Sequence, residues 1–318
     1  MRYIALTFLV AFLFGCGDTE EISLAEVCDS SGELCEKLIP DSSCKSLRRD
    51  VIVKTYLVRE EKIQSKKEQF EYELLVNLED FVKCSEKATF IEYDYNKFER
   101  EDKEQNRTTP LTEKEIKDRK SFKESLKARE KTREQNYIFA NYMLRGLSQR
   151  TKDSNNPYLL YWHWSRNGDK KAIKKLEYLN EQNKLNSYRM NFYMSQYYSK
   201  FDKEKSIDLF LKALEKLPPE EYTDKEDDKK KHDSSTDGFS VHFAIFRGLV
   251  THYYKEKDYE KSYIFAKLLE IKNDQTANSL EIVKYFETQQ KDITEKMEDK
   301  VDLINEALEE GKFNRNML

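Results

Sequence analysis

The second half of the chain repeats itself, and this limits its architecture more than any other feature. Trp164, Gly168, Asp169 and Ala172 are followed 34 residues later by Tyr198, Asp202, Lys203 and Ser206. Tyr253, Asp258, Tyr259 and Ser262 present the arrangement a third time. A fixed period of roughly 20–50 residues marks a unit that cannot bury its own apolar face and must stack on its neighbours. Small residues where two helices cross allow close approach, and aromatics fill the space where the next pair stacks. The step from Ser206 to Ser262 is 56 residues, one period plus 22. The excess falls on residues 219–238, dense in Asp, Glu and Lys without apolar patterning. That stretch reads as a loop or disordered insertion.

Composition agrees with a helical chain. Eight Gly and five Pro among 318 residues leave few sites for hairpin turns or phosphate-cradling loops, which argues against a large sheet or a Rossmann fold. Charged residues make up 36% of the chain, yet the net charge is only −4, so the balance gives no electrostatic case for nucleic acid. An aromatic content of 13% argues against wholesale disorder. The expectation is an all-α protein with narrow apolar stripes and broad charged faces.

The stretch 190–218 resembles a tetratricopeptide repeat. Tyr197 takes the first-helix aromatic position, Ser206 the small position of the second helix and Phe210 the aromatic after it, with Ala213 and Pro218 closing the pattern. Met194 stands where that family has a small residue, and Ala266 replaces the second aromatic in the third copy. The resemblance implies a short α-solenoid of about three helix pairs over residues 151–311, with a capping pair over about 279–289 and 292–310. The alternative is a helical bundle with chance spacing.

The N terminus points to a compartment. Residues 4–14 are an uncharged apolar run behind Arg2, too short to span a bilayer as a mature helix. The run ends in Leu13-Phe14-Gly15-Cys16, which resembles the lipobox of bacterial lipoproteins. The resemblance implies a signal peptide over 1–15, lipidation of Cys16, and anchoring of the mature chain in the cell envelope facing the periplasm. Gly17 rather than Asp after the anchor favours the outer membrane. The alternative is an ordinary secretory signal whose Cys is coincidental. Beyond this covalent lipid no cofactor is expected.

Four further cysteines, Cys28, Cys35, Cys44 and Cys84, form an even set suited to two disulfides in an oxidising compartment. Metal is the rival reading, but the spacings are not Cys-x-x-Cys and no His lies among them, so no metal is expected. Apolar residues at helical spacing, such as Phe70, Leu74, Leu78 and Phe81, predict a helical hairpin turning within 59–67. Cys44 and Cys84 are equidistant from Gln64 and would meet across the open end, leaving Cys28 with Cys35. Two other connectivities stay open.

The rest of the organisation follows. Residues 16–27 form a lipidated tether, 28–91 the stapled hairpin, and 92–111 a charged loop. Thr112 with Glu115 resembles a capping box and opens a long helix over 112–150, its second half docking through Tyr137, Ile138, Tyr142 and Leu147. Residues 312–318 form a tail. The whole chain resembles a family of uncharacterised bacterial lipoproteins defined as a domain of unknown function. The residues that carry this are Cys28 with Glu33-Leu34-Cys35, Cys44, Cys84, Asn156-Pro157-Tyr158-Leu159-Leu160-Tyr161-Trp162 with Gly168-Asp169, and the stretch 197–213. The resemblance carries no activity.

The sequence carries few signals of chemistry. HExxH, GxSxG, Walker A and GxGxxG motifs are missing from the sequence. His163, His232, His242 and His252 are dispersed, and His163 and His242 read as packed residues. Trp162, Trp164, Tyr193 and Tyr197 line either a ligand groove or a core. The expected function is non-catalytic: a lipid-anchored adaptor that presents an inner repeat face built by Tyr161, Arg189, Tyr193, Gln196 and Arg247 to an envelope protein or peptide. The rivals are an envelope enzyme such as a peptidoglycan hydrolase and a purely structural envelope protein.

Overall fold

The computed structural model describes residues 22–223, 241–272, 277–289 and 291–318. The expected signal peptide, and Cys16 with the first half of the tether up to residue 21, lie outside the described residues. Among those residues the regular structure is α-helix with one 3-10 turn and no strand, as the glycine-poor composition predicts. No described helix is long and apolar enough to cross a membrane.

Two short helices, α1 (Leu24–Ser30) and α2 (Gly32–Lys37), lead into the hairpin of α3 (Lys45–Glu60) and α4 (Gln64–Thr89). Cys44 is bonded to Cys84 and Cys28 to Cys35, with Cα–Cα distances of 6.0 and 5.7 Å. The turn is shorter than expected, because α4 already begins at Gln64. The expected tether is shorter too. Ser23 caps α1 in a capping box with Glu26, and Val27 is fully buried, so residues 24–27 belong to the fold.

The expected loop 92–111 contains α5 (Lys97–Glu104), which follows α4 and precedes α6 (Glu113–Thr151). Ion pairing rather than apolar burial holds it. Asp102 accepts two hydrogen bonds from Arg119, at 2.5 and 2.8 Å, Glu99 accepts one from Lys123 at 2.7 Å, and Phe98 meets Phe122 edge-on at 5.2 Å. An apolar pattern is therefore absent from the sequence there. The capping box of Thr112 and Glu115 opens α6. The docking stripe of α6 differs in part from the expected one: Leu147 is buried as expected, but Ile138 and Tyr142 are 59% and 73% exposed, and Arg133, Asn136, Ala140 and Thr151 are buried with Leu147 instead. Polar residues occupy this stripe because the wall opposite is polar. Asn136 bonds both the N–H and the C=O of Ile39, and Arg133 pairs with Asp41 at 3.2 Å.

Helix pairs follow in series: α7 (Pro157–Asn167) with α8 (Lys170–Glu181), α9 (Tyr188–Tyr198) with α10 (Lys203–Glu215), and, after α11 (Pro219–Thr223), α12 (Val241–Lys255) with α13 (Tyr259–Ile271). The pair α14 (Ala277–Gln289) and α15 (Lys291–Glu309) closes the series against α13. Asp169, Asp202 and Asp258 cap the second helix of each of the first three pairs. The small residues one turn on, Ala172, Ser206 and Ser262, are buried at the crossings. Ser206 Oγ donates to Ser195 O at 2.8 Å, and Ser262 Oγ donates to Val250 O at 3.2 Å. Met194 at the expected small position is fully buried, and Ser195 beside it supplies the carbonyl that Ser206 reaches.

α7 belongs to two cores. Leu159 and Trp162 pack with the hairpin and α6, while Leu160 packs with α8, α9 and α10. A third core runs from α9 to the C terminus. Pro219–Thr223, expected to be the start of a structureless insertion, is helical and buries Tyr222, whose hydroxyl donates to Asn305 on α15 at 2.6 Å. The remainder of that insertion, from 224 on, lies outside the described residues. The expected tail also differs. Gly311 turns the chain at a φ of 65°, Phe313 is buried, and Arg315 reaches Glu215 and Asp208 on α10.

Candidate partner-binding face

The first helices of the pairs carry the five expected face residues. Tyr161 on α7 and Tyr193 on α9 stack with ring centroids 4.1 Å apart and planes 6° from parallel. This contact joins the first pair to the second. Gln196, one turn along α9, is exposed. Arg189, at the start of α9, donates from Nε to the Tyr188 hydroxyl at 2.6 Å and from a terminal nitrogen to Glu221 at 2.9 Å. Arg247 on α12 lies over the ring of Phe243 at 5.9 Å. Tyr161, Arg189 and Tyr193 are half-buried rather than open. Their surfaces are shared with intramolecular neighbours.

The neighbours include residues that the sequence did not single out. Tyr72 on α4 reaches the same cluster, its ring 5.1 Å from that of Tyr158. Burial and then the phenols of Tyr193, Tyr161 and Tyr158 push the Tyr72 hydroxyl well above its ordinary pKa, with Tyr193 hydrogen-bonded to it. Tyr158 meets the Ser187 hydroxyl at 2.5 Å. Burial, followed by Glu221, likewise raises Tyr188. The stapled hairpin thus closes one side of the expected inner face, and four tyrosines from three helices form the joint. The period-34 recurrence does not include α4, so nothing in it could place Tyr72 there.

The expected groove aromatics divide. Trp162 points into the hairpin core and is buried. Trp164 stays on the face side, 5.8 Å from Tyr161 and 5.1 Å from Tyr197. Tyr197 donates to Glu177 on α8 at 2.9 Å, and burial together with that carboxylate pushes its phenol up to about 12. Phe201, 59% exposed, extends the row at 4.9 Å from Tyr197. The result is an aromatic ribbon, Tyr193–Tyr161–Trp164–Tyr197–Phe201, with exposed Gln196 at its flank.

Two of the described histidines, His163 and His242, pack in the interior. His163 is buried, with Nε2 3.0 Å from Thr151 Oγ1 and Nδ1 3.3 Å from Asn167, and burial lowers its pKa. His242 is buried against Tyr222, Phe243 and Phe246, and burial with nearby Lys272 brings it down to about 4. Among the described residues no three His, Cys, Asp or Glu side chains gather as a metal-binding group.

A model of the family described as "Protein of unknown function (DUF2989)" matches residues 13–125 and 120–267. No curated protein matches the chain, and no solved structure does.

Proposed function

The chain belongs to that family, whose description assigns no activity, and we propose from its own residues that it is a lipid-anchored bacterial envelope protein acting as a non-catalytic protein-interaction module. The observation that carries this reading is the series of helix pairs starting at Pro157, with Gln196 exposed beside the aromatic ribbon. The recurrence of capping Asp and small crossing residues supports a tetratricopeptide-like array, a form that offers extended surfaces to peptides and helices. The apolar run ending at Cys16, together with the two disulfides of the hairpin, supports export to the periplasm and anchoring, with the outer membrane as destination.

Because Tyr161 and Tyr193 pack against each other, Gln196 is the position to probe. A photo-crosslinker at Gln196 in the native envelope captures one specific protein, and a crosslinker at Gln149 on α6 does not. Mass spectrometry of the N-terminal peptide finds Cys16 acylated. Equal capture at both positions, an unmodified Cys16, or turnover of purified peptidoglycan by the protein each counts against the reading.

A further inference from the structure

Where α6 meets the stapled hairpin, a partly open cavity of about 10 Å³ is lined by Asp41, Cys44, Arg48, Phe81, Ser85 and Arg133, with Ala88 and Asn136 beside them. Its polar residues are almost completely withdrawn from solvent: Arg48 is 8%, Arg133 7% and Ser85 3% exposed. Buried charge is tolerated when it is paired. Arg133 has its pair, with Nε 3.2 Å from Asp41 Oδ2. Arg48 forms no ion pair among the described residues. It spends Nε on Leu38 O at 2.6 Å and one terminal nitrogen on Cys35 O at 3.2 Å, which satisfies carbonyls at the end of α2. Two guanidinium groups against one carboxylate leave one uncompensated positive charge at the cavity wall. Burial accordingly lowers the Arg48 pKa.

Two further features have the same sign. Ser85 forms no hydrogen bond among the described residues, so its hydroxyl is available as a donor to the cavity it lines. The 16-residue helix α3 begins at the cavity wall, with Cys44 as its N-cap, no side-chain cap and no acidic residue in its first turn. Its positive dipole end is therefore uncompensated by the chain. Asn136 has both ends of its amide committed to Ile39 and acts as a wall. A cavity of this volume admits about one water-sized sphere, which excludes phosphate, sulfate and carboxylates.

We propose that this cavity binds a monatomic anion of the halide class, chloride, held by Arg48, Arg133 and Ser85. The ion neutralises Arg48 and ties α6 to the stapled hairpin next to the Cys44–Cys84 bridge. Because it binds the folded state only, it raises the unfolding midpoint with its own concentration. The site does not depend on the interaction reading above.

The test uses the intact purified chain. In sodium chloride the unfolding midpoint rises with salt and saturates, whereas sodium gluconate at equal ionic strength does not reproduce the rise. The chloride-35 NMR line is broadened by the wild-type protein and narrows on addition of bromide. Ser85→Ala weakens the broadening several-fold. Asp41→Asn, which removes the one carboxylate at the wall, strengthens chloride binding several-fold, the reverse of what loss of a purely structural ion pair does. If Arg48→Met does not fold, the wild-type line width still decides. Equal midpoints in the two salts together with an unbroadened line mean that the cavity holds water only, and overturn the proposal.

Discussion

Arg315 and Glu215, one hundred residues apart, form a two-pronged ion pair, with Nε 2.9 Å from Oε1 and a terminal guanidinium nitrogen 3.0 Å from Oε2. The Arg315 backbone N–H donates to the same carboxylate at 3.1 Å, and Asp208 accepts from the guanidinium at 2.6 Å. In a simple stack each unit touches only its neighbours. Here the C-terminal residues return past α12 and α13 and pin the last pair to the second. Both side chains are partly exposed, so solvent screening limits the pair to about 1 kcal/mol. Arg315→Ala is expected to lower stability by about that amount in urea unfolding and to speed hydrogen exchange over residues 312–318. A drop in stability without faster exchange there would place the effect elsewhere.

The two disulfides are expected to contribute unequally. Cys44–Cys84 spans 40 residues and Cys28–Cys35 spans seven. The chain-entropy relation gives about 4 kcal/mol for the longer loop and about 2.4 kcal/mol for the shorter. Replacing Cys44 and Cys84 with Ala is therefore more destabilising than replacing Cys28 and Cys35, as urea unfolding of the two double variants would reveal. The reverse order would mean that α1 and α2, rather than the α3–α4 hairpin, are the weaker part of the N-terminal unit.

His242 gives stability a pH dependence of definite sign. Its folded pKa is brought down to about 4 by burial and by Lys272, against 6.5 in the unfolded chain. The unfolded state therefore binds the proton more tightly. The stabilising contribution of neutral His242 is complete above pH 6.5 and is lost as pH falls from 6.5 to about 4, by on the order of 3 kcal/mol. Burial lowers His163 as well, and its contribution has the same sign. His242→Phe, in the aromatic setting of Tyr222 and Phe246, is expected to flatten most of this slope in denaturation curves taken across that range. An unchanged slope would assign the acid sensitivity to other groups.

What the sequence could and could not reveal follows from which forces leave a pattern. Helix pairs were legible because a repeated packing unit repeats its residues. The recurrence nevertheless pairs Gly168 with Asp202, whereas the caps are Asp169 and Asp202. The first turn is a two-residue connection through left-handed Gly168, shorter than the second. The stapled hairpin was legible from symmetry about its turn. α5 was not, because it is held to α6 by Arg119, Lys123 and their carboxylates, and charge pairing has no period. The docking stripe of α6 was out of phase for a related reason, since Arg133 and Asn136 are buried by polar partners. The Tyr72 contribution to the candidate face depends on α4 meeting α7, a contact between distant segments that no local spacing encodes. The pairing of Arg189 with Glu221 on α11 was not legible either, since an ion pair leaves no period.

Two helical glycines with different surroundings test how closely the pairs are packed. Gly146 lies within α6, and a Cβ there would meet nothing within 4 Å. Gly248 lies within α12 against the Phe210 ring of the preceding pair, where a Cβ would stand 3.0 Å from two ring carbons. Replacing a mid-helix Gly with Ala removes conformational freedom from the unfolded chain and is worth about 0.5–1 kcal/mol where space allows. Gly146→Ala is therefore expected to stabilise by about that much. At Gly248 the same entropic gain is opposed by overpacking of about 1–3 kcal/mol, so Gly248→Ala is neutral to destabilising and Gly248→Val clearly destabilising. Phe210→Leu would make room for the added methyl, so the loss in Gly248→Ala should shrink in the double variant, a coupling that a thermodynamic cycle measures directly. Additive effects would mean that α10 and α12 are not in close register at this point, and the contact between the second and third pairs would have to be redrawn.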